Sequence, residues 1–205
     1  MLAKKEFSII FLCIFLLLVG CSNNNTKTTT EKKVIANETL INQVIQECNE
    51  ILENTNKTLC LAEKAIENIQ QGSNIIEEIC SRSPSSDICF YYSAFLLEDK
   101  NYCDFVKEDV IGCKLTSTTS YCMNYENAQD MCYEAQLDLI MTYDIELAKK
   151  RCKIMGSVNS KVRKMCKEKD WTDEFTDMTK KERFMLMYQI SKLSQFSEET
   201  VVLKK

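Results

Sequence analysis

From Glu38 onward apolar residues return at helical spacing. Leu40, Ile41, Val44, Ile45, Cys48, Ile51 and Leu52 make one wide stripe, which predicts an amphipathic helix with Asn37 as its N-cap candidate. The polar stretch 54–56 interrupts the stripe. Leu59, Ala62, Ile66 and Ile69 restart it as far as Gly72, the expected residue just past the end of a second, antiparallel helix. Asn74 and Glu77 have capping-box spacing ahead of "IIEEIC", and Thr179 and Glu182 repeat it ahead of "RFMLMYQISKL". Between these, "ICFYYSAFLLED" at 88–99 follows the polar loop 81–87 and reads as a strongly aromatic helix. Further helices are expected at 102–111, 121–141, 144–155 and 160–169. No segment alternates with the period of a strand. Beyond Gly20 the only glycines are Gly72, Gly112 and Gly156, and the only proline is Pro84. So few breakers argue against a turn-rich β protein and for an all-α fold of antiparallel helical hairpins.

The first twenty residues have a different character. Lys4 and Lys5 precede the apolar run "FSIIFLCIFLLLVG" at 7–20, the order of an export signal. A helix over that run is about 21 Å long, short of the roughly 30 Å hydrocarbon core of a bilayer. The run ends in "LVGC" at 18–21. This tetrapeptide resembles the lipobox of prokaryotic lipoproteins, and the resemblance covers the first 21 residues. It implies cleavage before Cys21, a diacylglyceryl group on that cysteine, and a place on the extracytoplasmic side of a cell membrane or outer membrane. Residues 22–37, "SNNNTKTTTEKKVIAN", have little to bury and are expected to form a disordered tether. The expected organisation is therefore a signal peptide at 1–20, a lipidated linker at 21–37, and one cysteine-rich helical domain at 38–205.

Of twelve cysteines, Cys13 belongs to the signal and Cys21 to the lipobox, which leaves ten. An even number in an exported chain points to disulfides. Neither the knuckle spacing of structural zinc sites nor the CXXC of redox dithiols occurs among the ten. In an antiparallel helix pair, residues equally distant from the turn face each other, so partners follow from sequence midpoints. Cys48 with Cys60, Cys80 with Cys89, and Cys152 with Cys166 each centre on a turn-like segment. Cys113 with Cys122 and Cys103 with Cys132 share one centre in "TSTTS" at 116–120. Were 103–113 one helix, Cys103 and Cys113 would lie about 15 Å apart, whereas bridged Cα atoms lie within about 7 Å; the same holds for Cys122 and Cys132. The stretch 103–132 resembles the twin CX9C hairpin of coiled-coil-helix-coiled-coil-helix proteins, which implies the same nested pairing over 30 residues and carries no function with it.

Charge and chemistry narrow the function classes. The formal charge of −4 becomes −5 once Lys4, Lys5 and Glu6 are removed with the signal. From 38 to 110 acidic residues exceed basic ones by nine, whereas 149–169 holds nine Lys or Arg against Glu168 alone. Lys149, Lys150, Lys153, Lys161, Arg163, Lys164 and Lys167 are thus candidates for binding an anionic polymer or lipid; the alternative is the solvated rim of helices that bury Ala148, Cys152, Met155, Val162, Met165 and Cys166. The segment lacks the interleaved aromatics of a nucleic-acid platform. The chain contains no histidine, and no catalytic, metal or cofactor constellation appears, so a non-enzymatic binding or structural module is expected, with an envelope or surface protein as its partner. The competing class is a hydrolase working with carboxylates alone on a cell-envelope glycan. Trp171 and the aromatics of 89–95 and 121–133 are expected in packing, as are Met178, Met185 and Met187, which could alternatively form an adaptable partner groove. Asn24, Asn37 and Asn56 fit the N-x-[ST] pattern, which matters only in a host that glycosylates exported chains.

Overall fold

A helix that buries consecutive residues has no solvent face, and the sequence 89–95 builds such a helix at the centre of the domain. The computed structural model describes residues 38–72, 74–125 and 128–194. The signal, Cys21, the tether and the Asn37 cap lie outside the described residues. Within them the chain forms nine α-helices and three 3-10 turns, with no strand. In order these are α1 (Glu38–Glu47), α2 (Asn54–Glu67), α3 (Ile75–Ser81), α4 (Ser86–Leu97), α5 (Val110–Ser117), α6 (Gln129–Tyr143), α7 (Ile145–Val158), α8 (Ser160–Glu168) and α9 (Lys180–Leu193). The 3-10 turns are Ile69–Gln71, Lys100–Phe105 and Tyr121–Asn124. The all-α expectation is therefore correct.

Cys89 to Phe95 of α4 are all buried, and α2, α3, α5 and the Lys100–Phe105 turn pack around it. Its aromatic side chains then reach the later helices. Tyr91 meets the rings of Phe184 and Tyr188 on α9 edge-on at 5.8 and 5.2 Å. Phe95 meets Tyr143 at the end of α6 at 4.8 Å. A hydrogen-bond chain runs through the same contact: the Tyr91 hydroxyl donates to Ser191 Oγ at 3.3 Å, and Ser191 donates to Asp109 Oδ2 at 2.7 Å. Asp109 Oδ1 in turn accepts from the Gly112 N–H at 3.0 Å and caps α5. Burial and the nearby Asp109 charge raise the Tyr91 pKa, so the phenol stays a neutral donor.

All ten cysteines are bridged. Cys48–Cys60, Cys80–Cys89 and Cys152–Cys166 pair as the midpoints predict. The nested pairing is overturned: Cys103 joins Cys113 and Cys122 joins Cys132, with Cα separations of 5.6 and 5.5 Å. Its premise was a continuous helix between the cysteines, and neither segment is one. Val106 takes an extended backbone after the Lys100–Phe105 turn, and α5 starts only at Val110. The Asp87 carboxylate fixes this reversal by accepting from the N–H groups of Lys107 and Glu108, both at 2.8 Å. Likewise the expected helix 121–141 is a short 3-10 turn at Tyr121–Asn124 followed by α6 from Gln129.

Smaller corrections have similar local causes. The first break lies at 48–53, not 54–56, because Glu53 accepts from the N–H groups of Thr55 and Asn56 at 3.0 and 2.9 Å and starts α2 there. Leu52, expected in the first stripe, is consequently 96 % exposed. Gly72 is extended, not left-handed, since α2 ends at Glu67 and a 3-10 turn follows. Asn74 forms no side-chain cap bond to α3, whereas Thr179 and Glu182 form the complete capping box of α9.

Two measurements check this architecture. Trypsin cleaves after Lys100, Lys107, Lys114 and Lys149, with no basic residue from 115 to 148. Non-reducing mapping should therefore release peptide 101–107 joined only to 108–114, with 115–149 bridged internally; a single cluster of all three peptides would restore the nested pairing. Gly112 provides a second test, because a Cβ there would lie 1.8 Å from Ser191 Oγ and 2.3 Å from Asp109 Oδ2. Gly112→Ala, an exchange that usually stabilises a helix by about 0.5 to 1 kcal/mol, should instead cost about 1 to 3 kcal/mol in urea unfolding as α9 is displaced.

Candidate functional site

The basic segment singled out by the sequence folds as the α7–α8 hairpin. Asp144 starts α7 by accepting from the N–H groups of Glu146 and Leu147 at 2.8 and 3.0 Å. Burial pushes the Asp144 carboxyl upward, but the Lys180 ammonium and these N–H groups outweigh it and hold the pKa below its ordinary value. The turn is a single residue. Asn159 ends α7 and caps α8, its Oδ1 accepting from Lys161 N at 2.9 Å and Val162 N at 3.1 Å. The helices approach closely there, for a Cβ on Gly156 would stand 3.1 Å from the Arg163 Cα. Cys152–Cys166 then bridges the hairpin nearer its open end.

Inward-facing residues fix the hairpin to the domain. Ala148, Arg151, Cys152, Met155 and Val162 are buried. Arg151 is the unexpected member, a cation 1 % exposed, missed because its charge read as part of the basic face. Its Nη1 donates to the Thr116 carbonyl, Nη2 lies 3.8 Å from the Glu98 carboxylate, and the guanidinium sits 5.7 Å from the Phe95 ring centre. Gln136 Nε2 donates to the Leu115 and Thr118 carbonyls. Together they satisfy carbonyls at the negative end of α5. Burial lowers the Arg151 pKa, and the Glu98 charge opposes that shift. Glu98 itself holds a left-handed backbone, φ 53°, where α4 ends.

The seven candidate cations separate into two groups. Lys149 pairs with Glu146 at 2.7 Å, Lys161 with Asp130 at 3.0 Å, and Lys164 with Glu168 at 3.9 Å. Arg163 donates Nε to the Gly156 carbonyl at 2.8 Å and so closes the end of α7. Lys150, Lys153 and Lys167 are exposed, and no carboxylate pairs with them among the described residues. One turn from Lys150 along α7 stands Ile154, 49 % exposed, followed a turn later by Val158, 67 % exposed.

On the other side of α8 a cleft of about 750 Å³ opens between α6, α8 and the 169–175 segment. Lys161, Lys164 and Lys169 line it together with Glu134, Asp138, Glu168, Asp170 and Glu174, over Met141, Met165 and Phe175. Its lysines are neutralised in place, Lys169 by Asp138 and the others as above, so the cleft is acidic on balance. Trp171, half-buried in the same 169–175 segment, lines a separate pocket with Asp144 and Arg183, its indole N–H donating to the Cys166 carbonyl at 3.3 Å as a packed junction residue should. Met187 is buried, while Met178 and Met185 border a separate shallow groove on α9.

Among the described residues, the carboxylates whose pKa moves all move down. Glu38 does so through its bond with Arg82, Glu53 and Glu182 through cap N–H groups, and Asp173 through the Phe175 N–H and Arg183. Each is held as an anion by a structural partner. Among the described residues no cluster of His, Cys, Asp or Glu has metal-binding geometry, and no helix is long and apolar enough to cross a membrane. Comparison with protein-family models, curated proteins and solved structures finds no match to this chain.

The division of the cations predicts unequal mutational costs. Arg163→Ala should lose about 1 kcal/mol of stability through the freed α7 carbonyl. Lys150→Ala, Lys153→Ala and Lys167→Ala should each stay within about 0.5 kcal/mol, as thermal or urea unfolding of the four variants will read.

Proposed function

We propose that this chain is an extracytoplasmic lipoprotein whose folded domain acts by binding, as an interaction module held at a membrane through a diacylglyceryl group on Cys21. The observation that carries the proposal is the closure of every domain cysteine into a bridge between residues 9 to 14 apart. Such a framework forms and persists outside the reducing cytosol. The export signal and the lipobox resemblance at 18–21 supply the route and the attachment. Two acyl chains give stable anchoring where one would not.

Much of the interior's polar chemistry is structural, at helix ends, in the Tyr91–Ser191–Asp109 chain and in the Arg151 bond to the end of α5. The acidic cleft beside α8 and the basic face of the hairpin are the surfaces on which a protein or polymer partner would act.

Expression of the full chain in a bacterium with a labelled fatty acid tests the attachment. The wild-type protein should carry label and sediment with membranes, and Cys21→Ala should lose the label. Retention of label by Cys21→Ala would overturn the assignment, as would a wild-type chain that is never labelled.

A further inference from the structure

The outer side of the α7–α8 hairpin carries exposed cations and exposed apolar side chains together. Lys150, Lys153 and Lys167 are exposed with no ion pair among the described residues, and Arg163, tied to backbone carbonyls at the end of α7, has no carboxylate partner there either. Interspersed with them on α7 are Ile154 and Val158, at 49 and 67 % exposure. A solvated rim accounts for the lysines but leaves two β-branched apolar side chains in water. A soluble polyanion likewise uses the cations and ignores Ile154 and Val158.

A bilayer bearing anionic headgroups uses both. Cations settle at the level of the phosphates while apolar side chains pass beyond them into the acyl boundary, as on helices that lie in the membrane interface. Lys150, Ile154 and Val158 succeed one another at four-residue intervals along one side of α7, and Lys153 flanks that row three positions after Lys150. The single-residue turn, the Gly156 approach and the Cys152–Cys166 bridge hold α8, with Arg163 and Lys167, rigidly alongside. The acidic excess elsewhere in the domain would be repelled by the same surface.

We propose that the outer face of the α7–α8 hairpin docks onto an anionic lipid surface, through Lys150, Lys153, Arg163 and Lys167 as headgroup contacts and Ile154 and Val158 as shallow insertions. This deepens the lipoprotein reading, which would place the domain beside a bilayer, where weak docking is sufficient. The docking itself belongs to the folded domain and requires no acyl chain. All five bridges and the core lie within the described residues, so the domain closes without the first twenty-one.

The test uses the oxidised, non-acylated chain beginning at residue 22, sedimented with vesicles of equal parts phosphatidylglycerol and phosphatidylcholine or of phosphatidylcholine alone. Binding is expected only to the anionic vesicles. Lys150→Glu with Lys153→Glu should reduce it by roughly tenfold or more, while the charge-matched pair Lys100→Glu with Lys107→Glu, on another surface, should leave most of it. Ile154→Ser with Val158→Ser should weaken vesicle binding severalfold at raised salt without altering retention on soluble polyphosphate. Far-ultraviolet circular dichroism confirms that each variant is folded. No binding to anionic vesicles overturns the proposal, as does equal loss in the matched control. Loss with the lysines but not with Ile154 and Val158 replaces the bilayer by a polyanion. Because no variant here involves Cys21, failure of docking is distinct from failure of lipidation.

Discussion

Seven successive buried residues oblige a helix to be covered on every side, and α4 imposes that demand on the whole domain. α2, α3, α5 and the turn that holds Cys103 supply the nearer walls. Further cover comes from Tyr143 on α6 and from residues about a hundred positions later, Phe184 and Tyr188 on α9. The cost of burying the Tyr91 hydroxyl is met by Ser191, which brings Asp109 and hence the start of α5 into the same contact. One buried aromatic segment thus fixes the positions of the helices that later carry the hairpin.

The disulfides do different work. Each spans 9 to 14 residues, so in the chain-entropy view each contributes about 2 to 3 kcal/mol by restraining a short segment of the unfolded chain. None joins distant parts of the sequence, and the order of the helices in space rests on noncovalent contacts. Arg151 is the boldest of these. A buried guanidinium is expensive to desolvate, and here the end of α5, the Phe95 ring and the partly exposed Glu98 carboxylate offset part of that cost, while Nε and Nη2 have no hydrogen-bond acceptor. That arrangement ties α7 to α4 and α5 at once, and so fixes which side of the hairpin faces outward.

Periodicity made the helices legible, and turn chemistry limited their boundaries. Apolar spacing and the scarcity of breakers were enough to read an all-α fold, and the aromatic run 89–95 was readable as core. The three bridges across a simple turn followed from their midpoints. The other two did not, because the midpoint argument assumes helix between the cysteines, and 106–109 is a reversal held by Asp87 from another part of the chain. Asp109 before "VIG" was a local hint that a helix starts at 110, the N-cap signal itself. A carboxylate reaching back twenty residues has no local counterpart in the sequence. Arg151 was opaque for the same reason, since nothing in "KKRCK" distinguishes the buried cation from its exposed neighbours until the helix is oriented.

The candidate site shows how far a charge count departs from a charged surface. Seven cations in one segment looked equivalent, but helix geometry sends Lys161 toward Asp130 and Arg163 onto α7 carbonyls, and only Lys150, Lys153 and Lys167 remain with neither a carboxylate nor a carbonyl partner among the described residues. Opposite sides of α8 consequently carry opposite character, an acidic cleft against α6 and a basic outer face. The close approach at Gly156 and the bridge at Cys152 prevent the hairpin from rolling to exchange them. A rigid body with its charge so divided turns a uniform external field into an orientation: the face that an anionic surface attracts and the faces that it repels act in the same direction.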